Sequence, residues 1–535
     1  MRKLTASLAA LVALAASGAA AQEIRVGLAA EPTSSDPHYH AHATNVTLRW
    51  HVFDGLTTSA VDLTPEPSLA ESWTTVNDTT WQFKLRPDVK FSNGTPFTSR
   101  DVLYSFCRVP AVEGSPGGFN WGLNTVVGVD TPDDQTVVIK TSVPDPTLPT
   151  KLANVAIVSA SVSGAAEKLT YAKPNCGDIG GNPKHTEFAN PEIAIGTGPF
   201  KYAEYKGGER IVMERNENYW GPEQYWKKIT FRSITNPGSR VAALLSGDVD
   251  VIESPQPQDF ERIRSSGFTI DEALSTRSIY IGLDMHEAPD WKSPGITLDK
   301  NPLLDKRVRQ ALSKAINRQA IVERIMGGSS LATGELAAWP ILGTTQDLPV
   351  PQQDLDGAKQ LLAEAGYPDG FDLVLGTSND RYLNDEKVFQ AIAQMWTRVG
   401  VRTKLDTQSA TTYFTRRDRE FSFSAALGSW AASTGEIGNF LYATSLTRDP
   451  SVGAGITNFG RYSNAEFDAL VQKGLTTMDR EERGKIYQQA VKKVIEEDAA
   501  VIPLMVEKSP WAFRSNIAFV PRSDQYTVIT GTSEK

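Results

Sequence analysis

From about residue 278 onward the chain repeats one pattern, and that pattern limits the possible folds more than any other feature. In DKRVRQALSKAI, Val308, Ala311, Leu312, Ala315 and Ile316 recur at the spacing of one helix face. DLDGAKQLLAEAGY reads as a second helix, stopped at Gly366, the residue type suited to the left-handed turn after a helix. DLVLG reads as a strand, EKVFQAIAQMWTRVG as an amphipathic helix and VRTKLDT as a further strand. NAEFDALVQKGL and EERGKIYQQAVKKVIEED continue as helices, and Ser463 is expected to cap the first, with Glu466 completing a capping box. VIPLMVEK closes the series as a strand. Strands and helices in alternation predict an α/β unit with largely parallel strands.

The first half reads differently. Ile24, Val26 and Leu28 alternate as in a short strand, and WHVFDGLTT is an apolar stretch of helical character. In TTWQFKLRP, Trp81, Phe83 and Leu85 alternate with polar neighbours between the turn signals Asn77-Asp78 and Asn93-Gly94. TSRDVLYSF opens a helix that Thr98 can cap, with Asp101 at its positive end. Residues 107–195 are rich in Pro, Gly, Ser and Asn around one clear strand, TVVIKTSVP. GTGPFKYAEYKGGERIVMERN predicts a β-hairpin turning at Lys206-Gly207-Gly208-Glu209. Gly196 and Gly198 do not make a phosphate loop, because Pro199 and a strand follow them where a helix is needed. RVAALLSGDVDVIE gives a helix, a stop at Gly247 and a short strand.

The chain has 535 residues, which at roughly 150 residues per domain points to about three domains. No repeat and no low-complexity linker divides it. The formal charge of −9, without a long Lys/Arg run, argues against nucleic acid or an anionic membrane as partner. Arg2 and Lys3, the apolar run LTASLAALVALAA and Ala19-Ala20-Ala21 read as a secretory signal peptide over residues 1–21, cut after Ala21. Its loss removes two positive charges and takes the formal charge from −9 to −11. No later segment reaches the ~18 apolar residues of a membrane helix. The expected compartment is the periplasm. Cys107 and Cys176 form an even pair in an oxidising compartment, and a disulfide closing about 70 residues is worth on the order of 4 kcal/mol.

Enzyme signatures are missing. There is no GxSxG elbow, no HExxH, no Walker A loop, and no GxGxxG between a strand and a helix. His286-Glu287 lacks the second histidine of a metalloprotease. The expectation is a chain that is not an enzyme; an exported hydrolase is the alternative of another class.

Several segments carry a family likeness: AESWTTVNDTTWQFKLRPDVKFSNGTPFTSRDVLYSF, GTGPFKYAEYKGGERIVMERNENYWG, LLSGDVDVIE, LDKRVRQALSKAINRQAIVERIMGG, AKQLLAEAGYPDGF and YSNAEFDALVQKG. In this order, over nearly all of the chain after its leader, they resemble the extracellular solute-binding proteins of the dipeptide, oligopeptide and nickel class, which feed ABC importers. The resemblance implies an α/β, two-lobed periplasmic binding protein fold with an extra inserted domain: three domains, with a hinge between the lobes. On this chain that places the first lobe at 22–58, 193–277 and 501–535, the inserted domain at 59–192 and the second lobe at 278–500. It also implies a small-molecule or peptide ligand, ABC permease subunits as partners, no cofactor and a monomeric receptor.

The same resemblance bears on specificity. Peptide-binding members present an aspartate to the peptide ammonium in a Trp-x-(Ala/Gly)-Asp segment; this chain has Trp430-Ala431-Ala432-Ser433. A serine supplies hydrogen bonding but no charge, and a buried ammonium needs compensation. Glu436 is one candidate substitute; a solvated loop glutamate is the other reading. SWAASTGE and NDRYLNDEKVFQAIA are similar to a branch with glutathione-binding members, where Arg381 would hold a ligand carboxylate, Tyr382 and Trp430 would flank the ligand, and Ser433 and Thr434 would supply polar contacts. RRDRE, residues 416–420, reads as a solvated face.

DPHYHAHATN holds three of the six histidines, His38, His40 and His42, with His51 close behind. Alternate residues of an extended segment share one face, so two imidazoles could share a metal. DPHYH also looks like a cleft-side motif of the branch just named. Tyr39 and His40 are therefore candidate ligand contacts, no metal site is expected, and a metal-chelate or heme receptor using His38, His40 and His42 is the alternative.

Overall fold

The computed structural model describes residues 22–173, 176–287 and 293–535. The expected leader, residues 1–21, lies outside the described residues.

One eleven-stranded mixed sheet runs through the molecule. At one end Asp372–Ser378 lies parallel to both Arg402–Gln408 and Ala425–Ala431, and the helix Asp385–Thr397 makes the return crossover. At the other end Glu23–Leu28 lies parallel to Lys228–Ser233 and Val251–Glu253, with the hairpin Phe200–Lys206 and Arg210–Arg215 at the edge. Between them two long antiparallel strands, Phe268–Leu283 and Val501–Arg514, join two apolar cores. Ile279, Ile281, Val501, Ile502 and Met505 belong to the core of the second lobe; Trp511 and Phe513 belong to that of the first. The strand Val501–Arg514 thus packs in both cores, and its 14 residues are long enough to serve both. Pairing between the two strands is interrupted between Leu274 and Ser278. A broken ladder of this kind bends and frees the backbone locally.

A separate four-stranded sheet, with Ala70–Asn77 at one edge and Val126–Asp133 at the other, builds the region expected as an insert. Trp81, Phe83 and Leu85 point inward, as their alternation predicts. Their core is continuous with that of the first lobe, which includes Ile24, Val26 and Phe231. Asp101 accepts the Thr98 backbone N–H at 2.8 Å, so the predicted start of Ser99–Arg108 holds. Cys107 and Cys176 form a disulfide with Cα atoms 5.5 Å apart, tying the loop before residue 190 to this helix.

Two local expectations fail. Asn464, not Ser463, caps Ala465–Thr476, accepting from the backbone of Glu466 at 3.0 Å and Phe467 at 3.3 Å. Asn is as good a cap as Ser and sits one residue nearer the helix; the Ser463 hydroxyl meets that of Thr447 at 2.9 Å. RRDRE is only partly solvated: Arg417 is buried, paired with Asp418 at 2.7 Å and lying 4.6 Å from the Phe459 ring. Gly196 is explained by packing, since a Cβ there would fall 1.9 Å from the Val52 carbonyl oxygen.

Candidate functional site

The histidine segment is not extended. It turns at residues 37–39 before the helix Ala43–Val52 begins, and its side chains separate. His38 is fully buried, with Nε2 2.7 Å from the Ala156 carbonyl and Nδ1 3.0 Å from Arg108 Nη1. Arginine can only donate, so Nδ1 accepts and Nε2–H donates to Ala156. Arg108 also pairs with Asp36 at 2.6 Å, both side chains fully buried. Burial first, then the Arg108 charge, lowers His38 to about 4. His51 is equally closed in: Nδ1–H donates to the Thr47 carbonyl at 2.7 Å and Nε2 accepts from Ile529 N–H at 3.0 Å. Burial lowers it to about 4 as well.

Tyr39 stacks on His185 with ring centroids 3.8 Å apart, and is half-buried. His40 and His42 lie 5.5 Å apart, with Nδ1 atoms against the Thr33 and Thr44 hydroxyls at 3.1 and 2.9 Å. Among the described residues no group of three or more His, Cys, Asp or Glu is placed to hold a metal. His42 has a lowered pKa, from burial and then from the charges of His40 and Arg381. His42 and Arg381, far apart in sequence, are thus near enough in the fold for their charges to interact.

The loop carrying Arg381 and Tyr382 is held by Asp385 at the start of Asp385–Thr397. Its carboxylate accepts the Ser378 hydroxyl at 2.6 Å and the backbone N–H groups of Arg381 and Tyr382 at 3.3 and 3.2 Å. The Arg381 guanidinium is exposed, lies 4.9 Å from the Tyr382 ring and has no carboxylate partner among the described residues. Trp430 ends the strand Ala425–Ala431, half-buried and paired in register with Ser278. Ser433 is exposed, and its oxygen accepts from Asn439 Nδ2 at 3.2 Å. Thr434 is buried, its hydroxyl 3.4 Å from the Glu436 carbonyl.

Glu436 corrects an expectation. Its two oxygens accept from Arg483 Nε and Nη2 at 2.9 and 2.6 Å, with both side chains buried. A carboxylate so engaged has no free charge for a ligand ammonium. Sequence reasoning also missed Arg277 and Glu507, which nothing in the pattern of their strands sets apart, since Asp271, Glu272 and Lys508 lie in the same strands. Arg277 lies in the interrupted segment and donates to Gln525 Oε1 at 3.1 Å and Ser429 Oγ at 3.3 Å. It stands 3.8 Å from the Glu507 carboxylate and 5.9 Å from the Tyr382 ring. Burial raises Glu507, and the charges of Arg277 and Arg381 oppose that rise. Arg277, Arg381, Tyr382 and Glu507 thus meet where the lobes join.

Comparison with known proteins matches this architecture. Residues 64–451 fit the family described as bacterial extracellular solute-binding proteins, family 5 Middle. The chain is 29% identical over 469 residues to heme-binding protein A of Haemophilus influenzae, covering 82% of this chain and 78% of that protein. It is 27% identical over 524 residues to the glutathione-binding protein GsiB of Salmonella typhimurium, covering 96% and 94%. The solved structure of HbpA2 from Haemophilus parasuis superposes with a TM-score of 0.79 at 26% identity, over 96% of this chain and 100% of that one.

Proposed function

This chain belongs to the bacterial extracellular solute-binding proteins, family 5, and on that premise we propose that it is the periplasmic receptor of an ABC importer for a short peptide or amino-acid-derived carboxylate, glutathione-like or opine-like. The ligand is captured by closure of the lobes and handed to the permease subunits. The observation that carries this reading is Arg381: an exposed guanidinium on a loop tied down by Asp385, 4.9 Å from the Tyr382 ring and without a carboxylate partner among the described residues. A planar fork held ready in this way suits bidentate pairing with a ligand carboxylate. Tyr382 and Trp430 flank it, and Ser433 offers a hydroxyl. Serine in place of the aspartate, with Glu436 taken by Arg483, favours ligands whose ammonium is not their main anchor. Arginines, rings and a hydroxyl form a recognition set, so the role is binding without turnover.

A heme or metal-chelate receptor is the second reading, supported by the relative named heme-binding protein A. It would rest on His40 and His42, since both nitrogens of His38 are engaged.

The test is native mass spectrometry of the protein purified from periplasm, with metal analysis and identification of any bound compound. A carboxylate compound is expected, with Arg381→Ala weakening its binding at least tenfold. Stoichiometric heme or metal lost on His40→Ala would overturn the reading in favour of the second. Hydrolysis of a peptide panel, abolished by one side-chain change, would replace both.

A further inference from the structure

Arg49 lies on the helix Ala43–Val52 and is only 3% exposed, yet it has no carboxylate partner among the described residues. Nη1 donates to the Ala153 carbonyl at 3.2 Å, while Nε and Nη2 make no hydrogen bond. Trp50 Nε1 is also buried and unpaired, and its ring lies 5.8 Å from the Arg49 guanidinium carbon. Phe119 stands at 5.7 Å. The acids that act on Arg49 from a distance are Asp54 and Asp524. Asp54 already accepts from Thr197 and Trp220 at 2.9 and 3.0 Å, and Asp524 is paired with Arg522 at 2.5 Å.

The empty edge has a recognisable shape. Elsewhere in this chain the Nε and Nη2 edge of an arginine grips one carboxylate with two parallel bonds. Arg25 holds Asp250 so at 3.0 and 2.8 Å, and Arg402 holds Asp372 at 2.8 and 3.1 Å. Arg483 holds Glu436 in the same way at 2.9 and 2.6 Å. In Arg49 that edge is unpaired. A buried guanidinium with two of its nitrogens unpaired is costly, so such a group is expected to have a use.

The segment 525–527 links the helix of Arg49 to Arg277: Thr527 N–H donates to Thr47 Oγ1 at 3.3 Å, and Gln525 Oε1 accepts from Arg277 at 3.1 Å.

We propose that the Nε and Nη2 edge of Arg49, with Trp50 Nε1 beside it, is a carboxylate subsite on the first lobe that receives one end of the captured ligand. With Arg381 on the facing lobe, it selects a ligand carrying two separated carboxylates. This second statement rests on the receptor reading above; the subsite itself does not. The carboxylate enters while the lobes are apart and is shielded from water when they close.

The experiment uses acetate as the probe and acetamide as its neutral twin, in thermal-shift and calorimetric titrations of the whole mature protein at matched ionic strength. Acetate should stabilise the wild type beyond acetamide. Arg49→Met, similar in length and uncharged, should lose that response, with apparent affinity reduced at least tenfold. Arg49→Lys keeps a point charge without the fork and should weaken acetate several-fold, which covers the case of a poorly folding methionine variant. Acetate acting no better than acetamide on the wild type, or equally on wild type and variants, overturns the subsite. The two readings fail separately: a normal acetate response in a protein that carries no carboxylate compound from periplasm would count against the receptor ligand and leave the subsite standing.

Discussion

His38 and His51 are held neutral by what they touch. Each has one nitrogen that must donate to a carbonyl and one that must accept, from Arg108 or from the Ile529 backbone. A second proton would set a donor against a donor in a fully buried site. Their folded pKa values, about 4, lie below the ordinary value of about 6.5 in an unfolded chain. The unfolded chain therefore takes up protons first as pH falls. The stability linked to each histidine is complete above about pH 6.5 and is lost progressively towards pH 4. Buried carboxylates with raised values, such as Glu253, work in the opposite sense, so the comparison has to be made against a variant. His51→Gln keeps one donor and one acceptor without a titrating ring. Between pH 7 and pH 5 the wild type should lose about 2 kcal/mol more unfolding free energy than His51→Gln. Equal losses in denaturant titrations at the two pH values would show that His51 is charged in the folded protein. The histidine cluster was visible in the sequence, but its division into two buried rings and two half-buried ones was not. That division depends on Ala156 and Ile529, which are distant in the chain.

At the scale of elements, hydrophobic period located most of the helices and strands, because apolar spacing is a local signal. Caps were less certain: Asn464 and Ser463 are adjacent and chemically equivalent as caps, and geometry chose between them. Apart from the cysteine pair, long-range pairing of side chains was not legible, and Glu436 shows the consequence. It lies 47 positions from Arg483, on the loop after Ala425–Ala431, while Arg483 lies on Arg480–Lys492. Their two parallel hydrogen bonds fasten that loop to the helix, and so set where Ser433 and Thr434 stand. Removing one charge of a buried pair leaves the other uncompensated, which typically costs about 3–5 kcal/mol. Glu436→Gln should therefore lower stability by that order. Glu436→Leu combined with Arg483→Met should recover much of the loss, since replacing both charges by apolar groups is often neutral. Chemical denaturation of the three proteins decides it. A double variant no more stable than Glu436→Gln would mean that the loop needs the polar pair for its shape.

For the whole molecule the determining feature is that one sheet serves two cores. The fold class could be read from the strand–helix alternation and the family likeness, but the hinge could not, because it lies within two continuous strands. Arg277 is placed to couple that hinge to the lobes. It sits where Phe268–Leu283 loses its pairing, and it bonds Ser429 in the second lobe and Gln525 in the segment that packs on the first. Glu507, on the crossing strand, is its nearest carboxylate. Moving the lobes apart must stretch at least one of these bonds, so Arg277 favours the closed arrangement. Arg277→Met removes them together and should shift the population towards open forms. With ligand held by the closed form, as the proposed function has it, apparent affinity falls in proportion to the fraction closed. A tenfold weakening would correspond to a shift of about 1.4 kcal/mol in that equilibrium. Small-angle scattering of the ligand-free proteins, with ligand affinity measured in parallel, separates the two ways Arg277 could act. As a hinge latch, its loss enlarges the radius of gyration and weakens every ligand alike. As a direct ligand contact, its loss leaves the scattering curve unchanged and weakens only ligands that carry an acceptor for it, which would remove Arg277 from the hinge and place it with Arg381 in the recognition set.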